Sequence, residues 1–148
     1  MEVMFNRCYG GFEFSEEAWQ LYKERGGQCG DPYDMSRHDP VMVRIVKELG
    51  PARINTIYSD IHLATIEARF TAHYSVDEYD GREHVVIQYN SYRVEAVKAI
   101  LKDEALSPAE RLTRAVAVLE ERLEGTGRTC TWPDKDAIPC DHTQSAVQ

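Results

Sequence analysis

The sequence predicts an α+β fold: a small mixed or antiparallel sheet with a β-hairpin, covered by about four helices. Three observations carry this. Apolar residues recur at helical spacing near the start of the chain, before Gly50 and through the last third. Between Arg53 and Asn90 the period changes to two. At the centre of that stretch Asp80-Gly81 separates two alternating runs, the strongest local signal for a hairpin, because both central residues of a type I′ turn need positive φ.

In chain order, Glu2 to Cys8 opens with Val3, Met4 and Phe5, an apolar run suited to a buried strand that Tyr9-Gly10-Gly11 stops. Ser15 reads as a helix N-cap. Glu16 and Glu17 follow in the first turn, where the helix dipole favours acids. Ala18, Leu21, Tyr22 and Arg25 share a face, and Gly26-Gly27 ends the helix. A loop from Cys29 to Ser36 leads to Asp39-Pro40, an Asp cap with Pro at the first helical position, and Val41, Ile45, Val46 and Leu49 continue to the stop at Gly50-Pro51. Ile61-His62-Leu63 reads as a short strand. Phe70, Ala72, Tyr74 and Val76 then alternate with polar residues, as do Val85, Ile87 and Tyr89. The sheet is expected to join the N-terminal strand to this Phe70–Tyr89 hairpin. Val94, Val97, Ile100 and Leu101 form a helical stripe. Ser107-Pro108-Ala109-Glu110 is a capping box opening an amphipathic helix along Leu112, Ala115, Val116, Leu119 and Leu123 to Gly125. The expected division is a single domain over residues 1–125 and an extended C-terminal tail over 126–148, with Trp132 and Ile138 draped on the domain.

With 148 residues, of which 43% are apolar, the chain is long enough for one domain that hides roughly two-thirds of its unfolded surface. That excludes a collagen-like repeat and a disulfide-dense miniprotein. Twenty-five acidic residues stand against 17 basic ones, for a net charge of -8, which disfavours broad nucleic-acid binding. No apolar stretch reaches the ~20 residues that cross a bilayer, and the N-terminus lacks the pattern of a signal peptide. A soluble intracellular protein is the expectation. Cys8, Cys29, Cys130 and Cys140 match no zinc-site spacing and are expected as free thiols, though pairing of Cys130 with Cys140 stays open. Neither a metal nor a cofactor is expected; a metal held by Cys130, Cys140 and His142 is the weaker reading.

Chemistry concentrates around Cys8. The stretch Asn6-Arg7-Cys8-Tyr9-Gly10-Gly11-Phe12, followed by Ser15, sets a strand end, a glycine pair and a helix N-terminus side by side. Bare amides and a nearby guanidinium suit a small phosphorylated ligand. Asn6, Arg7, Tyr9, Gly10, Gly11 and Ser15 are therefore candidate ligand-binding residues, with Arg37 from a second helix start. Against this, Glu16 and Glu17 would repel an anion, and neither a P-loop nor a dinucleotide fingerprint is present. The catalytic alternative makes Cys8 a nucleophile, with His38 or His84 as base and Asp39 or Asp60 orienting it. The plainer readings are that Cys8 is a small buried hydrophobe, that Ser36 and Asp39 cap a helix beside an exposed His38, and that the acidic stretch Glu78 to Glu83, which could attract a cation, is a solvated hairpin tip.

The block Asn6-Arg7-Cys8-Tyr9-Gly10-Gly11-Phe12, with Ser15, Glu17 and Ala18, resembles the opening of a family of small uncharacterised proteins of bacteriophages and large DNA viruses. Two later blocks resemble it in the same order: Arg37-His38-Asp39-Pro40 with Val43, Val46 and Glu48-Leu49-Gly50, then Glu78-Tyr79-Asp80-Gly81 with Glu83. The resemblance spans about the first 90 residues as ordered blocks. It implies a viral or phage-derived accessory protein and carries no reaction, ligand or catalytic residue. Three functions follow as expectations: a non-enzymatic protein that binds a host or viral protein or a small phosphorylated ligand, a small enzyme using Cys8, and a virion structural or assembly protein. No membrane partner is expected, and nothing in the residues fixes the oligomeric state.

Overall fold

A continuous apolar run such as Val3-Met4-Phe5 belongs where both faces of a strand are covered. The computed structural model, which describes residues 1–121, places it so. Strand β1 (Glu2–Asn6) is buried from Val3 onward. It pairs antiparallel with β2 (Ile61–Thr65), Val3 opposite Ala64 and Asn6 opposite Ile61. Met4 and Ile61 point into a core shared with two helices, α1 (Glu16–Glu24) and α2 (Pro40–Leu49), where Ala18, Tyr22, Met42 and Ile45 are fully or almost fully buried. Val3, Phe5 and Ala64 point the opposite way, into a second core with Phe70 and Val85. The two-stranded ribbon is thus the middle layer between two apolar clusters.

The hairpin forms where the turn chemistry demands. Strands β3 (Tyr74–Tyr79) and β4 (Arg82–Ile87) pair antiparallel, and Asp80 and Gly81 adopt φ of 53° and 81°. They make a separate two-stranded sheet, so the expected joining of β1 and the hairpin into one sheet is corrected. The main-chain partner of β1 is β2, and β4 approaches β1 through side chains. The hairpin is also shorter than the alternation suggested. Phe70 sits on a 3-10 turn (Ala68–Phe70), where it packs against Tyr89 and Tyr92, and Tyr89 opens the next helix. Burial of one large ring, not strand alternation, explains that apolar position.

Helix starts follow their caps. The Ser15 Oγ accepts from Ala18 N, and the Asp39 carboxylate accepts from Val41 N and Met42 N. Gly50 ends α2 in left-handed backbone, and Pro51 immediately begins a short helix, α3 (Pro51–Ile54). Among the described residues the last two helices are α4 (Tyr89–Lys102) and α5 (Pro108–Glu120), the latter with both arms of the Ser107–Glu110 capping box. The amphipathic stripe expected on α5 is, among the described residues, largely exposed. Leu112, Val116 and Leu119 are exposed, and Ala115 alone on α5 is buried. The expected helix end at Gly125, the tail and Cys130, Cys140 and His142 lie outside the described residues. Among those described, no helix is long and apolar enough to cross a membrane.

Candidate functional site: a cavity beside the glycine turn

Asn6 closes β1 at zero exposure, so every polar atom of its side chain needs a partner. Its Oδ1 accepts from Asp60 N at 2.8 Å and Cys8 N at 3.4 Å. Its Nδ2 donates to Gly81 O at 2.8 Å and Cys8 O at 3.0 Å. Its own backbone N–H donates to Glu83 Oε2 at 2.8 Å. One amide side chain therefore ties the strand end to the start of β2 and to the hairpin turn. Its capacity is used up within the fold.

Cys8 is buried beside it. The Sγ lies 3.2 Å from the Tyr58 carbonyl and 3.4 Å from Asn6 Oδ1. Both neighbours are acceptors, so the thiol sits as a weak donor; neither can take up its proton as a base. His38 has other partners, with Nδ1 2.7 Å from the Tyr74 hydroxyl and 3.2 Å from Ser36 Oγ. Burial pushes the Tyr74 hydroxyl up from its ordinary value. The geometry thus gives Cys8 and His38 separate surroundings, while Asp39, offered as an orienter, caps α2 and accepts from the Tyr22 hydroxyl at 3.1 Å.

Gly10 is required by close packing of the main chain. Gly11 N donates to Tyr58 O at 2.9 Å. A Cβ on Gly10 would overlap that same carbonyl, and a Cβ on Gly81 would overlap the Gly10 carbonyl. Three backbone segments meet here at distances that only glycine allows. The close approach serves the protein's own main chain.

The other side of the turn is open. A cavity of about 340 Å³ is lined by Gly10, Gly11 and Phe12 from the turn, Tyr33 and Arg37 from the loop before α2, and Val76, Glu78, Gly81 and Glu83 from the hairpin. Arg37 lies 3.4 Å above the Phe12 ring and donates through Nη2 to Glu83 Oε1 at 2.5 Å. Glu83 is buried, which corrects the expectation that Glu78 to Glu83 is wholly solvated. Glu78, directly across the hairpin from Glu83, is exposed and accepts from Gly81 N. The cavity offers carboxylates, a phenol and a guanidinium already bound to a carboxylate; these are recognition groups.

Of the sequence-nominated residues, Gly10, Gly11 and Arg37 reach the cavity. Arg7 contacts His62 instead, Nη1 to Nε2 at 3.4 Å, and His62 Nε2 lies 2.9 Å from Asp60 Oδ1. That bond, then burial opposing it and the charges of His62 and Arg7, leaves the Asp60 carboxyl below its ordinary range. Tyr9 is exposed, with the Arg82 guanidinium 5.7 Å from its ring. Ser15, besides capping α1, donates to Arg53 O at 2.5 Å.

No family model, curated protein or solved structure matches this chain. The functional reading therefore rests on the geometry. Sequence reasoning did not name Phe12 or Tyr33 as site residues, and it set Glu83 within an acidic stretch read chiefly as a solvated tip. Only Glu83 carried a signal, since strand alternation puts it on the same face as Val85 and Ile87, an acid among apolar residues.

Proposed function

We propose that this chain is a non-enzymatic binding protein that uses the cavity beside Gly10–Phe12 to hold a small ligand or a side chain of a partner protein. The observation that carries the reading is the open space of about 340 Å³ at a turn whose inner side is fully packed. A concave site with a few convergent polar groups is the usual form of a ligand site. The engagement of Cys8 with two carbonyl oxygens supports binding over nucleophilic chemistry. The lining also weighs against the phosphorylated ligand, because its guanidinium is neutralised by Glu83 and Glu78 adds a further negative charge. The resemblance to bacteriophage and large DNA virus proteins supplies the setting of this proposal: an accessory protein in the cytoplasm of an infected cell, acting on a host or viral protein.

An amide-detected NMR screen of small fragments tests it. Binders are expected to shift Gly10, Gly11, Tyr33 and Gly81 together. A ligand held at a hundredfold its Kd should add roughly 2.7 kcal/mol to stability. Shifts confined to another face, or no binder at all, would remove the cavity from the account.

A second reading, an assembly role, is favoured by the uncovered stripe on α5, where Leu112, Val116 and Leu119 are 64%, 40% and 57% exposed. Sedimentation velocity separates it. Concentration-dependent association lost on Leu119→Glu would support assembly, and a strict monomer would end it.

A further inference from the structure

The strand register holds a charge imbalance. Glu78 and Glu83 are directly opposite each other, so both side chains emerge on one face of the hairpin, and both line the cavity. Like charges in that position destabilise a hairpin unless a cation intervenes. Arg37 serves Glu83, 2.5 Å away, with its guanidinium carbon 3.4 Å from the centre of the Phe12 ring. The Arg37 ion pair uses Glu83, while Glu78, exposed at the edge of the same cavity, accepts from the Gly81 amide, in a chain whose net charge is -8. The wall contributes a further feature suited to a cation: Tyr33, 63% exposed, whose hydroxyl sits where a Gly11 side chain would be. A carboxylate and an aromatic ring on the walls of one small cavity are the groups that recognise an ammonium or guanidinium.

We propose that the cavity takes a single organic cation, an alkylguanidinium or alkylammonium group, seated between Glu78 and Tyr33 and supplying a second positive charge beside the one that, among the described residues, Arg37 brings to the Glu78–Glu83 pair. The inference rests on the cavity reading above and adds to it the chemical class of the ligand. The cation comes either as a free small molecule or as an Arg or Lys side chain of a partner; the recognising groups are the same.

The experiment is a calorimetric titration of the full chain with agmatine, with the blocked tripeptide acetyl-Gly-Arg-Gly-amide and with inorganic phosphate, each followed by amide shifts. Saturable binding of agmatine or the peptide, mapping to Gly10, Gly11 and Gly81, is expected, with none for phosphate. Glu78→Gln should weaken it by about tenfold and Glu78→Lys should abolish it. Asp77→Lys makes the same charge change on the opposite face of the hairpin and should alter affinity by less than about threefold. Agmatine alone binding points to a free ligand, and peptide binding of equal strength points to a partner's side chain; either supports the proposal. Binding of phosphate instead, or equal losses in Glu78→Lys and Asp77→Lys, would overturn it. If fragments shift the cavity amides while both cations fail, the cation proposal falls and the cavity stands. If nothing shifts them, both fall.

Discussion

The two sides of one turn differ in what they leave unspent. Toward the core, Asn6, Cys8 and the Gly11 amide are matched to partners on three segments, and Gly10 is pressed against the Tyr58 carbonyl. Away from the core, a few ångströms of chain later, the same turn borders an open cavity lined by two facing carboxylates, of which Glu83 is bonded to the Arg37 guanidinium. The comparison teaches that a glycine-rich strand end with a cysteine is not by itself a reactive site. In this turn the residues with the most chemical promise hold the fold together. The residues left to meet a ligand come from the hairpin and from the loop before α2.

The largest effect expected from breaking this contrast is at Asn6. Asn6→Ala strands the Gly81 carbonyl and the Asp60 amide in a buried setting and should cost about 3 kcal/mol, read from urea unfolding. A loss below about 0.5 kcal/mol would mean water replaces the side chain and the inner side is wet.

Next in size is Cys8. Cys8→Ala removes a small buried thiol and should cost about 1 kcal/mol. Native protein treated with iodoacetamide between pH 5 and 9 should be labelled at Cys8 only after unfolding. Labelling of the folded chain that tracks a thiolate would revive the nucleophile.

The smallest effect concerns the outward pair Asp60 and His62. The folded Asp60 carboxyl lies below its usual value, first because His62 bonds to it. A depressed carboxyl contributes stability above the unfolded carboxylate pKa, near pH 4, and that contribution is lost as pH falls through the folded value. His62→Ala should therefore raise the Asp60 midpoint toward the ordinary range in a carbon-detected titration, with a small stability change that vanishes at low pH. An unchanged midpoint would assign the depression to other groups.

Much of the fold was legible because its signals are local. The Asp80-Gly81 turn, the Ser15 and Asp39 caps and the Ser107–Glu110 box each need only a few neighbouring residues, and each formed as read. The partner of β1 was not legible, because the hairpin and β2 offered similar alternation and the choice is made by tertiary packing. Phe70 misled for a related reason: its apolar character answers to Tyr89 and Tyr92 rather than to a strand face. The site was half legible. Gly10, Gly11 and Arg37 were named, but the bonds from Asn6 to Gly81 and Glu83 span 75 and 77 positions, which no short motif encodes. The exposed stripe on α5 shows the converse limit, since helical periodicity tells which face is apolar and not whether anything covers it.

The measurement that bears most directly on the two-sided turn compares Gly10→Ala with Gly11→Ala in chemical unfolding. A Cβ at Gly10 meets backbone of Tyr58 that cannot step aside, whereas at Gly11 it meets the tip of the exposed Tyr33 side chain, which can swing away. Gly10→Ala should lose about 3 kcal/mol or more and Gly11→Ala less than about 1 kcal/mol. Equal losses, or the larger one at Gly11, would contradict a turn packed on one side and open on the other.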